Sequence, residues 1–193
     1  VGAKMPHAWR VGTIFAALVV GAAGEAAHRR ERTFAMVKPD ACARADEIVR
    51  MAEENGFRCV ANKTHHLTPA EARLFYREHA DRSFFPDLVD FMTSGPVVVL
   101  ILERSDAVKR WRALIGPTNS VKARETAQHT VRAQYGTDGQ RNAVHGSDSP
   151  SSARREIDFF FGSRALVPVH MRLILEKFCA VLGLVSLGRR KAS

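Results

Sequence analysis

Short apolar runs alternate with amphipathic segments along the middle of the chain. The clearest run is PVVVLILE at 96–103, which is β-branched, has no polar break and is typical of a buried strand. Three further segments predict strands, at 33–38, 57–67 and 143–146. Five segments predict helices, at 46–55, 68–79, 84–95, 106–114 and 149–161.

Local capping signals mark the ends of two predicted helices. Thr68 is a predicted N-cap, with Pro69 at the first helical position and Glu71 as its capping-box partner. Gly56 is placed to end the helix before it. These boundaries make the order of elements clearer than periodicity alone would.

The order of strands and helices predicts a βαββαβ plan. We therefore expect an α+β fold, a ferredoxin-like α/β sandwich with a four-stranded antiparallel sheet and helices on one face. The predicted domain covers 33–162, between an N-terminal extension at 1–32 and a C-terminal helical extension at 163–193. A polar loop is predicted at 116–132, and its length favours a functional role.

Net charge narrows the class of partner. The chain has 193 residues, a formal charge of +9 and 46% apolar residues, which fits a globular protein with an anionic partner. Part of that charge lies in basic clusters at 29–32 and 189–191, which solvated tails would also explain. Nucleic-acid binding rests on net charge alone, so no specific nucleic acid is expected.

Three widely spaced cysteines favour a reducing compartment.

The N-terminal segment leaves the location of the protein open. Residues 11–24 are uncharged and mostly apolar and follow Arg10, as in a signal peptide or organelle presequence. The run is too short for a membrane span, so none is expected. The alternatives are a cytoplasmic protein whose extension folds onto the domain and import into an organelle.

Several polar side chains come together in this plan. They are Lys38 after the first strand, Arg112, Thr118 and Arg132 around the polar loop, and Asn142 and His145 near the last strand. Cations and a hydroxyl around an imidazole predict a polyphosphate site with a nucleophile, because guanidinium and ammonium groups stabilise phosphate charge. A P-loop is absent from the sequence, so side chains must hold the phosphates.

The motifs around these residues closely resemble the nucleoside diphosphate kinase family. They are VKPD at 37–40, FMTSGPVVV at 91–99, GPTNS at 116–120, NAVHGSDS at 142–149 and REIDFFF at 155–161. The resemblance covers about 33–161 and implies the same ferredoxin-like fold. It also implies transfer of a γ-phosphate from a nucleoside triphosphate such as ATP to a nucleoside diphosphate.

The resemblance implies a role for each matching residue at the reacting centre. His145 would accept the γ-phosphate as a phosphohistidine, with ping-pong kinetics. Glu156 would align the imidazole through a hydrogen bond, with Ser147 nearby. Lys38 would be catalytic as well as nucleotide-binding, and Tyr76 would lie close to it.

Nucleotide contacts follow from the same resemblance. Residues implied to hold the phosphates or sugar are Lys38, Arg112, Thr118, Arg132 and Asn142. Phe84 would stack on the base and Leu88 would line the same wall, although their spacing also fits simple core residues. Mg²⁺ would bridge the phosphates, so no protein residue is predicted as a metal ligand.

Two departures from the family suggest a particular subgroup. The segment between Asp40 and Gly56 is shorter than in ordinary members, and the segment between Asn119 and Arg132 is longer. Both resemble the divergent flagellar, radial-spoke-like group. That likeness implies an alternative function, a weakly active or inactive structural part of a cilium or flagellum axoneme. Partners would then be a homo-oligomer or axonemal proteins.

The C-terminal stretch at 165–188 has spaced apolar positions and predicts an amphipathic helix. It resembles the docking helix that some flagellar members carry. A helix packed on its own domain or a subunit contact would have the same pattern.

Overall fold

A single antiparallel sheet forms the centre of the molecule. The computed structural model describes residues 30–166. Its strands are β1 (Glu31–Val37), β2 (Arg58–His65), β3 (Val97–Arg104) and β4 (Val144–Gly146), in the order β2-β3-β1-β4. The predicted α+β, ferredoxin-like fold is therefore confirmed.

Seven α-helices connect and cover these strands within the described residues. They are α1 (Ala45–Glu54), α2 (Pro69–Phe75), α3 (Phe85–Thr93), α4 (Ala107–Ile115), α5 (Ser120–Thr126), α6 (Val131–Tyr135) and α7 (Pro150–Phe161). Short 3₁₀ helices occur at Pro39–Arg44, Arg77–His79 and Ser163–Leu166. The predicted helix at 68–79 thus divides into α2 and a 3₁₀ turn.

Helices cover both faces of the sheet. Along β1, Phe34 and Met36 belong to one core cluster, while Ala35 and Val37 belong to the other. Since successive strand residues point to opposite faces, the two clusters lie on opposite sides of the sheet. Helices α2, α3 and α7 contribute to the first cluster, and α1 and α4 to the second. The prediction of helices on one face only is wrong, because the central strands are apolar on both sides.

The predicted capping signals are present. The Thr68 side chain accepts from the backbone N–H of Glu71, and the Glu71 carboxylate accepts from the backbone of Thr68. Gly56, which follows the C-cap residue Asn55 of α1, has φ +79°, a conformation that residues other than glycine rarely adopt. Local chemistry therefore set these helix ends.

The polar stretch at 116–132 is not a continuous loop, so that prediction is wrong. It contains α5 and the start of α6. The Asn119 side chain caps α5 by accepting from the backbone N–H groups of Val121 and Lys122. Only Ser120 and Ala123 of α5 are buried, so this helix has almost no apolar stripe to reveal it.

Both extensions reach beyond the described residues. Positions 1–29 of the predicted N-terminal extension and 167–193 of the predicted C-terminal extension, with most of the helix predicted at 165–188, lie outside the described range, and the domain boundaries stay a prediction. Among residues 30–166, none of the helices has the length and apolar content that crossing a bilayer requires.

Candidate active site

His145 lies in the middle of the short edge strand β4. Its neighbour Val144 belongs to the second core cluster, so the imidazole projects to the opposite face, toward the first cluster. Ring centroids of Phe34, Phe75 and Tyr76 lie 6.0, 5.4 and 6.2 Å from the imidazole. Its side chain is 18% exposed, so packing holds the ring while one side remains accessible.

The residue after His145 must be small because of Trp111. A Cβ on Gly146 would lie 2.5 Å from Cδ1 of Trp111, which is fully buried. The Trp111 Nε1–H also donates to the carbonyl of His145, at 3.3 Å. Trp111 therefore supports β4 from behind, a role that sequence reasoning missed.

A buried carboxylate holds one nitrogen of the imidazole. Glu156 lies on the buried face of α7, in the spacing Ala153, Glu156, Ile157, Phe160. Its Oε2 lies 3.1 Å from Nε2 of His145 and accepts the Ser147 hydroxyl at 2.7 Å.

The electrostatics of this pair define the histidine tautomer. Burial raises the pKa of Glu156, but the hydrogen bonds from His145 and Ser147, with the charges of His145 and Arg155, outweigh it and leave the pKa below its usual value. An ionised carboxylate only accepts, so Nε2 of a neutral His145 holds the ring proton. Nδ1 keeps its lone pair, and no hydrogen bond engages it within residues 30–166.

Lys38 and Asn142 form a second cluster. Lys38 Nζ donates to Asn142 Oδ1 at 2.7 Å and to the carbonyl of Gln140 at 3.2 Å. The Asn142 amide donates in turn to the carbonyls of Thr118 and Gly139, at 3.0 and 2.9 Å. Both side chains are therefore pre-oriented by main-chain oxygens.

Burial makes the protonated, charged form of Lys38 less stable. Burial first, and then the nearby charge of Arg132, lower the pKa of Lys38 to about 8, against the opposing carboxylates of Asp40 and Asp138. The ammonium is thus charged below this pH and loses its proton as pH rises through it. A buried lysine is easier to protonate once the protein unfolds. Lys38 therefore lowers the free energy of unfolding below about pH 8, and this destabilisation disappears as pH rises past its unfolded pKa.

The family resemblance implies that Lys38 contacts the phosphates, so we expect binding of a nucleoside diphosphate to weaken as pH rises through about 8. Loss of the Lys38 charge removes one cation from the phosphates. Calorimetric titration with ADP between about pH 6.5 and about 9.5 would measure this change in Kd. In Lys38→Met this alkaline decline should disappear while binding is weaker throughout. A decline of the same size in Lys38→Met would assign it to another group.

The two arginines of the site have different environments. Arg132 is buried, and its two Nη groups donate to the carbonyls of Gly116 and Val144, at 2.8 and 3.1 Å. Burial and the charge of Arg112 lower the pKa of Arg132 to about 10. Its Nε has no partner within the described chain. Arg112 is half-exposed and pairs with Asp148, just beyond Ser147.

The remaining predicted site residues differ in how exposed they are to solvent. Phe84 is 46% exposed and its ring touches His79, whereas Leu88 is 7% exposed and belongs to the first core cluster. Thr118 is exposed, and its carbonyl supports Asn142. The Tyr76 hydroxyl is buried without a partner in the described region, so no hydrogen bond joins it to Lys38.

Asp40 is a further residue that sequence reasoning missed. Its Oδ2 accepts the backbone N–H of Ala143 at 3.0 Å, and the Ala143 carbonyl accepts from the backbone of Lys38 at 2.8 Å. Ala143 has φ +65°, an unfavourable conformation for alanine that these contacts stabilise. The sequence signal was available, since Asp40 belongs to the VKPD motif.

A groove of about 680 Å³ adjoins the Lys38 cluster but contains none of the predicted site residues. It is lined by Asp40, Phe91 and Arg141, among others. The centroid of the Phe91 ring, in the wall of the groove, lies 5.9 Å from Lys38 Nζ. The imidazole of His145, oriented by Glu156, is not part of the lining of this groove.

No group of three His, Cys, Asp or Glu side chains that could hold a metal occurs in residues 30–166. The carboxylates nearest His145 are engaged, Glu156 by His145 and Ser147, and Asp148 by Arg112. An ion here would therefore need oxygen ligands from a bound phosphate compound.

Fold and site together define a class of protein. It is a ferredoxin-like α+β domain in which a strand histidine, oriented by a buried carboxylate, lies near buried and exposed cations. Residues 31–166 match the protein family described as "Nucleoside diphosphate kinase". The chain belongs to the nucleoside diphosphate kinase family.

Individual relatives support the same assignment. A "Nucleoside diphosphate kinase" of Pasteurella multocida (strain Pm70) is 50% identical over 133 residues, which are 68% of this chain and 94% of that protein. "Nucleoside diphosphate kinase homolog 5" of Danio rerio is 45% identical over 141 residues, 73% of this chain and 65% of that protein. The crystal structure of the Aquifex aeolicus nucleoside diphosphate kinase superposes with a TM-score of 0.67 at 48% identity, covering 68% of this chain and 95% of that one.

Proposed function

We propose that this protein transfers the γ-phosphate of a nucleoside triphosphate to a nucleoside diphosphate through a phosphohistidine at His145. One observation carries the proposal. Nε2 of His145 lies 3.1 Å from the buried Glu156 carboxylate, while Nδ1 has no hydrogen bond within the described residues. A neutral imidazole held in this tautomer is ready to act as a nucleophile.

The reaction is a double displacement. Nδ1 of His145 attacks the γ-phosphorus, an N–P bond forms, and the bond from phosphorus to the bridging oxygen breaks. The first nucleoside diphosphate leaves with the electron pair of that bond. A terminal oxygen of a second diphosphate then attacks the phosphorus, and the N–P bond breaks to restore neutral His145. The proton on Nε2 stays in its hydrogen bond to Glu156 throughout.

Cationic and polar side chains bind the nucleotide in this proposal. Arg112 and Arg132 stabilise the phosphate oxygens, with Thr118 beside them. Lys38 and Asn142 bind the sugar hydroxyl and the phosphates, since they already form one hydrogen-bonded pair.

Fewer side chains are assigned to the base and to the metal ion than to the phosphates. The exposed Phe84 ring is available to stack on the base, whereas the buried Leu88 supports that wall from the core. The nucleotide is expected to bring Mg²⁺ on its phosphates, where the ion neutralises charge during transfer.

A label-and-chase experiment tests the proposal. Purified protein is incubated briefly with γ-labelled ATP and Mg²⁺, and acid-labile, base-stable label is sought on His145. We expect label that passes to added diphosphate, as ping-pong transfer requires. Absence of label in a protein that binds ATP would contradict phosphoryl transfer.

A pair of opposite charge changes tests the phosphate contact of Arg112. We expect Arg112→Ala to weaken triphosphate binding much more than nucleoside binding, because the guanidinium faces phosphate charge. Asp148→Asn should have the opposite effect, since it releases Arg112 from its carboxylate. The pair is exposed, so the gain should be about two- to fivefold in Kd. Calorimetric titration with ATP and with adenosine would measure both, and equal losses for the two ligands would contradict the assignment.

The axonemal alternative concerns where this domain is used. A structural role with axonemal partners, a homo-oligomeric state and a cytoplasmic, ciliary or organellar location stay predictions from the sequence. Likeness to the Danio rerio protein named homolog 5 is consistent with the divergent subgroup. The labelling experiment separates the two functions, since a purely structural protein would not label.

A further inference from the structure

Lys38 and Asn142 rest on one short turn at residues 136–141. The carbonyl of Gln140 accepts from Lys38 Nζ at 3.2 Å, and the carbonyl of Gly139 accepts from the Asn142 amide at 2.9 Å. A shift of this turn would therefore move both side chains together.

The turn is closed by its own hydrogen bonds. Asp138 Oδ1 accepts the backbone N–H groups of Gln140 and Arg141, both at 2.7 Å. The backbone N–H of Thr137 donates to the carbonyl of Arg141 at 2.6 Å. These bonds hold the shape of the turn but not its position relative to the sheet.

Two contacts attach the far end of the turn to other elements. The Gln140 side chain donates to the carbonyl of Asp87 at 2.8 Å. The Asn142 amide donates to the carbonyl of Thr118 at 3.0 Å. The start of the turn follows α6 directly, and the backbone N–H of Gly136 donates to the carbonyl of Arg132 at 3.1 Å. Its remaining hydrogen bonds to other elements, at 136–138, are with α5.

Helix α5 attaches to the start of the turn through Arg124. Its Nη1 donates to the carbonyl of Gly136 at 2.7 Å and its Nη2 to the carbonyl of Thr137 at 3.0 Å. The backbone N–H of Ser120 donates to the carbonyl of Asp138 at 3.2 Å. A Cβ on Gly136 would lie 2.1 Å from the Ser120 hydroxyl oxygen, so the two backbones approach closely. One guanidinium thus bridges two successive carbonyls.

We propose that Arg124 is a positioning residue for the nucleotide site, holding the 136–141 turn so that Asn142 and Lys38 keep their places. A planar guanidinium can donate to two neighbouring carbonyls at once, which an ammonium does not reproduce. Arg124 lies in the polar segment between Asn119 and Arg132. The inference rests on the proposed function, because that function assigns nucleotide binding to Lys38 and Asn142.

The test compares three variants in the full-length protein. Arg124→Ala removes the bridge, and Arg124→Lys keeps the charge but loses the paired geometry. Lys122→Ala is the matched control, since it removes the same charge from an exposed position of the same helix. Kd for ADP is measured by calorimetric titration, and KM and kcat by ATP-to-diphosphate transfer.

We expect both Arg124 variants to raise Kd and KM about tenfold, the effect of losing one well-placed polar contact. kcat should stay near the wild-type value, because His145 and Glu156 lie on β4 and α7, apart from the turn. Lys122→Ala should match the wild type. Faster amide hydrogen exchange at 136–142 in Arg124→Lys would report the loosened turn directly.

Several outcomes would overturn the inference. Unchanged Kd in both Arg124 variants would do so, as would an equal loss in Lys122→Ala, which would indicate net charge alone. If Arg124→Ala does not fold, Arg124→Lys decides. A wild type that binds ADP without labelling His145 contradicts the proposed function and leaves the Kd comparison intact, whereas a wild type that binds no nucleotide contradicts both.

Discussion

His145→Ala is expected to abolish phosphoryl transfer, with a loss of at least about 10³-fold. The substitution removes the nucleophilic nitrogen, and Ser147, which also donates to Glu156, has only a hydroxyl in its place. Nucleotide binding should persist, because Lys38, Asn142 and Arg112, which we propose bind the nucleotide, are unchanged. Labelling with γ-labelled ATP and calorimetric titration with ADP would measure the two properties separately.

The loss of the imidazole also has a structural consequence that needs its own control. It leaves the buried Glu156 carboxylate without one partner, which destabilises the protein. His145→Gln restores a donor toward Glu156 but has no nucleophilic nitrogen, so it should also be inactive. His66→Ala changes an exposed histidine and should keep full activity. Undiminished transfer in His145→Gln would contradict the mechanism.

Glu156→Gln is expected to slow phosphorylation of His145 about 10²-fold, because a neutral amide no longer specifies which ring nitrogen holds the proton. The pKa of Glu156 lies below its ordinary value of 4.5, so the wild-type carboxylate is charged throughout the neutral range. Its stabilising contribution is present above about pH 4.5 and is lost as pH falls through the lower folded pKa. Rapid-quench measurement of label on His145 would give the rate.

Asp158→Asn provides the matched comparison for Glu156→Gln. Asp158 lies on the exposed face of the same helix, so its variant removes the same charge without touching the imidazole. We expect a wild-type phosphorylation rate. An equal slowing in both variants would mean that the charge of α7, not the contact with Nε2, controls the rate.

Most of the fold could be predicted from short-range patterns. The apolar run at 96–103 predicted β3, which spans Val97–Arg104, and the Thr68 and Glu71 signals produce the capping box at α2. Such signals depend on residues close in sequence, so they survive in a single chain without structural information. Helix α5 was not predicted, because the segment after its N-cap, Asn119, has almost no buried apolar face.

The candidate site was predictable to a smaller extent. Motif likeness pointed to His145, Asn142 and Lys38, which the structure brings to neighbouring clusters. Phe84 and Leu88 are four positions apart, so their spacing alone gives them the same predicted role. The structure distinguishes them, because Phe84 is exposed and Leu88 is buried. Trp111 could not be assigned a role, because its hydrogen bond is with a backbone atom of a distant residue. Asp40 belongs to the VKPD motif, but its contact with the backbone of Ala143 appears only in the fold.

The sequence by itself determined the order of the four strands, most of the helices, the capping box at α2 and the residue types available for phosphate chemistry. Those properties arise from interactions over a few positions. Only the tertiary structure decided that Lys38 meets Asn142 across 104 positions, and that both faces of the sheet are covered. The same packing excludes water from Lys38 and lowers its pKa, and it sets one imidazole nitrogen against a buried carboxylate. Desolvation and long-range hydrogen bonds exist only once the core has formed, which is why the reactivity of the site is a property of the fold.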